Sequence, residues 1–178
     1  NEMKPDAILG SSMTVLTLEE AKAAGYYIPE NYTSFEENRY KNKDGEFVVP
    51  ALDFTTVDQI MKTCHENKLK LRGHTLVWHA QTPDWFFREG YLDDGDYVDA
   101  ETMKYRLESY IRQMLTFCQD NYPGVVYCWD VVNECVEPGD LETDSGWRCR
   151  TRGESPEGTS QWYDILGYEY VELAFTYA

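Results

Sequence analysis

The sequence has 178 residues, 42% of them hydrophobic, enough for one domain with a core of its own. Thirty-two acidic against sixteen basic residues give a formal charge of −16, which argues against nucleic acid and anionic membranes as partners and suits a neutral polysaccharide. No stretch approaches the ~18 apolar residues of a membrane-spanning helix.

In chain order, residues 10–50 read as a long excursion with a short helix over Thr17–Ala24, ended by Gly25, and a turn over Asn42–Gly45 signalled by Asp44-Gly45. Asn31-Tyr32-Thr33 fits the N-glycosylation pattern, a motif common by chance and given no weight. Phe54, Val57, Ile60, Met61 and Cys64 recur at helical spacing behind Thr55 and Thr56, which predicts a helix of about three turns. From Leu69 to Trp85 a short apolar strand feeds a cluster of His74, Trp78, His79, Gln81 and Trp85. A longer helix starts near Asp99 on the stripe Met103, Leu107, Tyr110, Ile111, Met114, Leu115 and Cys118 and stops before Pro123-Gly124.

The next strand runs into Tyr127–Glu134. Val126, Cys128, Asp130, Val132 and Glu134 share one face, and Val125, Tyr127, Trp129, Val131 and Asn133 the other. Both faces are largely apolar, which predicts a strand covered on two sides, as in a parallel α/β sheet or barrel. The final helix begins at about Ser160, with Trp162, Leu166, Tyr170, Leu173 and Tyr177 on one side. Regular alternation of strand and helix is the βαβ signature. In such folds the carboxyl ends of the strands carry the chemistry, and Glu134 stands at one of them.

The five cysteines form no Cys-x-x-Cys pair and are odd in number, so neither a disulfide framework nor a zinc ribbon is indicated. Cys64, Cys118 and Cys128 occupy apolar positions and read as small core residues. Cys135 and Cys149 lie in or near the loop after the Glu134 strand, and their pairing is left open.

Arg-Gly-His-Thr-Leu-Val-Trp-His at 72–79, then Gln-Thr-Pro-x-Trp at 81–85 and Trp-Asp-Val-Val-Asn-Glu at 129–134, resemble barrel strands three and four of the glycoside hydrolase family 10 endo-xylanases. The opening Asn1-Glu2-Met3-Lys4 is similar to that family's strand-two motif, Glu-Asn-x-Met-Lys, without its first Glu. Between Ile8 and Ala51 the likeness is loose. The resemblance implies an α/β fold, a TIM (β/α)8 barrel, incomplete in this chain and running from about the end of strand 2 through helix 4. A whole barrel takes about 250 residues, so residues 1–178 are expected to form one partial catalytic domain.

The resemblance also implies roles. Glu134 is similar to the family's general acid/base, and the nucleophile of this retaining family is expected from a strand-seven motif that the chain does not show. Glu2, Glu137 and Asp130 are the nearest carboxylates in sequence, and none has a fitting context. Asn133 matches the residue that bonds the sugar 2-hydroxyl. His74, Trp78 and Gln81 match residues lining the subsite of the cleaved sugar, and Asn1 and Lys4 match contacts one sugar further away. His79 resembles a histidine near the acid/base that tunes or orients carboxylates. Asp130, inward of Glu134, needs a partner if buried, with Arg72 or His79 as the candidates. Trp85 is expected to frame the loop after strand three. No metal or other cofactor is expected. The expected partners are xylan or xylo-oligosaccharides and the remainder of the barrel, in the same polypeptide or another chain. A polymeric substrate implies a secreted or extracellular protein.

Two rival classes remain. A non-catalytic carbohydrate-binding protein would keep the aromatic platform and lack the nucleophile, although binding alone does not call for the Asn133-Glu134 pair. A metal hydrolase would use His74, His79 and Glu134, but the five-residue histidine spacing on a strand and loop is not that of a zinc helix.

Overall fold

Two parallel strands and the helix that joins them position everything else. The computed structural model describes residues 3–10, 14–29, 41–138, 147–150 and 160–178, with the backbone alone at 137–138 and 147–149. Its elements in order are α1 (Pro5–Leu9), β1 (Val15–Thr17), α2 (Leu18–Ala23), β2 (Val48–Pro50), α3 (Thr55–Glu66), β3 (Leu71–Trp78), two 3-10 turns (Asp84–Phe87 and Glu89–Tyr91), α4 (Ala100–Asn121), β4 (Val126–Asn133), β5 (Val136–Pro138), β6 (Trp147–Cys149), α5 (Gln161–Leu166) and α6 (Glu169–Tyr177).

The strand β3 pairs with β4 in parallel, with Gly73 opposite Trp129, His74 opposite Asp130 and Trp78 opposite Asn133. A parallel pair needs a long crossover, and α4 supplies it. Asp99 caps that helix by accepting the Thr102 amide at 2.9 Å, and the helix stops at Tyr122, ahead of Pro123 and a left-handed Gly124. Its predicted stripe is the buried one: Met103, Leu107, Tyr110, Ile111, Met114 and Cys118 all face the core, while Leu115 is only partly covered. Each large apolar side chain hidden in this way contributes about 1.5–3 kcal/mol.

Arg106 breaks the pattern, a buried cation on the core side of α4. It donates to the carbonyls of Phe86 at 2.6 Å and Arg88 at 2.8 Å and lies over the Tyr91 ring. In this way α4 holds the aromatic turn after β3, where Trp85, Phe86, Phe87 and Tyr91 are all buried.

The outer elements follow their local signals. Thr17 and Glu20 form a reciprocal capping box at the start of α2, and Gly25 takes the left-handed conformation that ends that segment. Asn42 Oδ1 gathers the amides of Asp44 and Glu46, each at 3.0 Å, at the predicted turn. β1 and β2 pair antiparallel over α2.

Two expectations need correction, and one feature is new. β4 is covered only in part: Val131 is its one buried residue, Tyr127 is 65% exposed and Cys128 is exposed instead of core. Among the described residues β4 has β3 as its only strand neighbour, while Val126 and Val132 on one face and Trp129 and Val131 on the other pack against the core. The last helix is two helices, because Gly167 at φ +61 breaks the run between Leu166 and Glu169. The loop after β4 contains a short antiparallel ladder, β5 with β6, too short to leave a periodic signal. Within it Cys135 is a free thiol, and the Cys149 side chain, like the sequon at 31–33, lies outside the described residues.

Candidate active site

The carboxyl ends of β3 and β4 bring one carboxyl group, two imidazoles, an indole and an ammonium together. Trp78 ends β3, and its indole Nε1 donates to Glu134 Oε2 at 2.9 Å. His79 Nε2 stands 3.8 Å from the same oxygen, with the His79 side chain only 9% exposed. The Trp78 ring lies edge-on to His79, tilted against His74 at 6.2 Å, and under the Lys4 ammonium at 5.6 Å. Lys4 reaches this place because it is the extended residue that opens α1, followed by Pro5 at the first helical position.

Glu134 itself has φ 51, in the left-handed region. A residue with a Cβ pays roughly 1 kcal/mol to sit there. The turn it makes ends β4 and leads the chain away. Arg150 then holds the new direction, donating Nε to the Glu134 carbonyl at 2.9 Å and its amide to the Cys135 carbonyl at 2.7 Å. With Oε2 engaged by the indole, Oε1 has no hydrogen-bond partner among the described residues. A carboxyl group held by one oxygen and open at the other can pass a proton to a bound molecule and take one back. Asn133, half-buried, precedes it as the register partner of Trp78.

Below this layer Asp130 binds two partners. Its Oδ1 accepts from Arg72 through Nε at 2.8 Å and through Nη2, and its Oδ2 faces His74 Nδ1 at 2.9 Å. The Arg72 hydrogen bond is the main cause holding the Asp130 carboxyl below the usual carboxylate range, with burial opposing and His74 assisting. Of the two expected candidates, Arg72 and not His79 bonds Asp130. Arg72 is a partner, His74 is the second, and His79 goes to Glu134. The parallel register that sets His74 opposite Asp130 decides this.

Gln81 lies apart from Glu134 in a different arrangement. Its Nε2 donates to Asp6 Oδ2 at 3.0 Å, and its carbonyl accepts the Asp6 amide at 2.8 Å, so the loop after β3 is clasped to α1 beside Lys4. Asn1 and Glu2 lie outside the described residues, as does the Glu137 side chain. Trp85 packs edge-on against Phe86 and Tyr91 in the buried turn. The histidines serve two different carboxylates, and no group of three or more His, Cys, Asp or Glu is gathered for a metal among the described residues.

Sequence reading missed three contributors. Asp6 carries no signal in the sequence. Thr82 stands in the Gln-Thr-Pro-x-Trp run without a role of its own, and Trp162 reads as one member of an apolar stripe. Yet Thr82 Oγ1 at 3.0 Å and Trp162 Nε1 at 3.1 Å both donate to the Trp78 carbonyl.

Parallel strands of a βα repeat that deliver a carboxyl group, an amide and an aromatic wall to one end place these groups where α/β folds carry their sites. The model of glycosyl hydrolase family 10 matches residues 1–178, and the chain belongs to that family. It is 43% identical to endo-1,4-beta-xylanase A of Butyrivibrio fibrisolvens over all of this chain, and 49% identical to a putative endo-1,4-beta-xylanase of Caldicellulosiruptor saccharolyticus over 73% of it. In both cases the chain spans 38% of the relative's length.

Among solved structures, the CBM22-1–GH10 modules of a Clostridium thermocellum endo-1,4-beta-D-xylanase complexed with xylohexaose superpose with a TM-score of 0.70 at 35% identity. That match covers the whole of this chain and 29% of the other. An intracellular xylanase of Thermoanaerobacterium saccharolyticum, a Glu-to-Ala mutant with xylotriose, gives 0.58 at 30% identity over 80% of this chain and 40% of its own. The chain therefore holds part of a TIM (β/α)8 barrel.

Proposed function

We propose that this chain supplies the general acid/base and part of the glycone subsites of an endo-acting hydrolase of β-1,4-xylosidic bonds that works by retaining double displacement. The observation that carries the reading is the Glu134 carboxyl group at the carboxyl end of β4, with one oxygen on the Trp78 indole at 2.9 Å and His79 beside it.

In the first step Glu134 gives its proton to the glycosidic oxygen as the bond from that oxygen to the anomeric carbon breaks. A second carboxylate, about 5–5.5 Å away and supplied from outside this chain, attacks the same carbon and forms the glycosyl-enzyme. In the second step the Glu134 carboxylate takes a proton from water, which attacks the anomeric carbon and releases the nucleophile. Asn133 bonds the sugar 2-hydroxyl, a contact that strengthens as positive charge develops. His74 and Trp78 line the subsite of the cleaved sugar together with Gln81, and Lys4 and Asn1 reach the next sugar. His79 orients the acid/base. The polar-headed Lys4 and the indole face are ordinary sugar-binding groups.

Relatives support the substrate class: a xylohexaose complex in one, and complexes of two different Glu-to-Ala mutants with xylotriose and xylotetraose in another. The size of a polymeric substrate favours action outside the cell.

The test is Glu134→Gln in the enzyme that contains this chain, assayed on xylan and on an aryl xyloside with a good leaving group. Xylan hydrolysis should fall by about 10²–10⁴-fold, the usual worth of a positioned proton donor. The first-step release of the phenol should persist, because that leaving group needs no proton. Wild-type behaviour on both substrates would remove Glu134 from the role.

A further inference from the structure

The Trp78 side chain is the one that grips Glu134, and what fixes Trp78 is remote from the sugar. Its carbonyl accepts from two directions, Thr82 Oγ1 at 3.0 Å within the loop after β3 and Trp162 Nε1 at 3.1 Å from α5. Both lone pairs of that oxygen are therefore used. Trp162 is 1% exposed and is itself set by Phe87, edge-on at 4.8 Å, and by Phe86 at 6.0 Å. It lies more than eighty positions along the chain from Trp78. A buried indole needs an acceptor, and many backbone carbonyls would satisfy it. This one belongs to the residue whose own indole holds the candidate proton donor.

We infer that Trp162 is a positioning residue for the acid/base: with Thr82 it locks the Trp78 backbone, so that the Trp78 indole keeps Glu134 aimed at the glycosidic oxygen. The inference rests on the acid/base reading of Glu134. The chain of contacts is short, with two hydrogen bonds in series: Trp162 Nε1 to Trp78 O, then Trp78 Nε1 to Glu134 Oε2. Among the described contacts Trp162 has none with the Glu134 carboxyl group, and it acts through Trp78. The segment after β6 is thereby tied to the chemistry of β4 through the end of β3.

The experiment compares two substrates in the enzyme containing this chain. Trp162→Phe keeps an aromatic ring in the buried slot and removes the donor; Thr82→Val removes the second donor with little change of shape, and Thr82→Ser restores it. Aim matters where the proton matters. For Trp162→Phe, kcat/KM on xylan should fall roughly three- to tenfold, the worth of one hydrogen bond, while the good-leaving-group aryl xyloside stays within about twofold. Thr82→Val should show the same asymmetry, and Thr82→Ser should return the wild-type ratio. The ratio of the two activities is insensitive to how much of each preparation is folded, so a merely destabilised variant does not imitate the result. Equal losses on both substrates in Trp162→Phe and Thr82→Val overturn the positioning role. Glu134→Gln run alongside separates the failures: asymmetry there but in neither variant overturns this inference alone, whereas none there overturns the acid/base reading and this inference with it.

Discussion

Gly73→Ala tests how tightly the two strands are set against each other. An ideal Cβ on Gly73 would meet Trp129 Cδ2 and Cζ3 at 2.5 Å, with Cε3 closer still. Carbon atoms in good contact sit about 3.5–4.0 Å apart, so a gap of about 1 Å or more has to open. The obstacle is the flat, rigid indole of the residue directly opposite in the register, partly buried against the core. Overpacking of this kind costs about 1–3 kcal/mol. Gly73 does not use a left-handed backbone, so alanine recovers about 0.4–1 kcal/mol through the unfolded chain. The net expectation is a destabilisation of about 1–2 kcal/mol, read as a lower urea midpoint at constant slope in the enzyme that contains this chain. A Trp129→Leu background removes the obstacle. There Gly73→Ala should be neutral or mildly stabilising, a coupling of about 1 kcal/mol or more between the two sites. If the substitution costs as much in that background as in the wild type, the close approach of strand to ring is not what requires the glycine.

The other expectations concern charge and thiol chemistry. Asp130→Asn should lower stability near neutral pH. Because the folded-state value of Asp130 lies below its ordinary 3.8, the contribution is fully present above that value and fades as acid protonates the folded carboxyl group. The gap between wild type and variant in urea midpoint should therefore be full at about pH 6 and close below about pH 4; a gap that persists unchanged into strong acid would contradict the Arg72–Asp130–His74 arrangement. Burial pushes the Cys118 thiol up to about 12, so it should resist alkylation in the native enzyme at mildly alkaline pH and react once urea unfolds the chain. Mass mapping of the label decides this, and native-state modification of Cys118 at the rate of a free thiol would refute it.

Legibility of the fold followed the length of each signal. The helix α4 announces itself through a stripe of apolar residues between an Asp99 cap and a Pro-Gly stop, and α3 through a shorter version of the same pattern. Strands β3 and β4 were legible because apolar runs lead into polar and aromatic clusters. What needed coordinates was pairing. Asp130 takes His74 and not His79 because a register places them opposite, and nothing in either segment alone states that register. The full burial expected of β4 belongs to a strand paired at both edges, whereas among the described residues it is paired at one, with β3. Trp162 reads as an ordinary stripe residue, since a periodic pattern reveals which side chains are buried and is silent on where a buried N–H points. Gly167 could have been weighed as a breaker; it sits in the middle of an apolar run whose period survives the break.

The small ladder after β4 has a use in engineering. Pro138 lies opposite Trp147, and Arg150, just past the returning strand, donates to the carbonyl of Glu134 itself. The ladder and the strand end that carries Glu134 are therefore one unit for redesign, since a change to either has to leave the Arg150 bond in place.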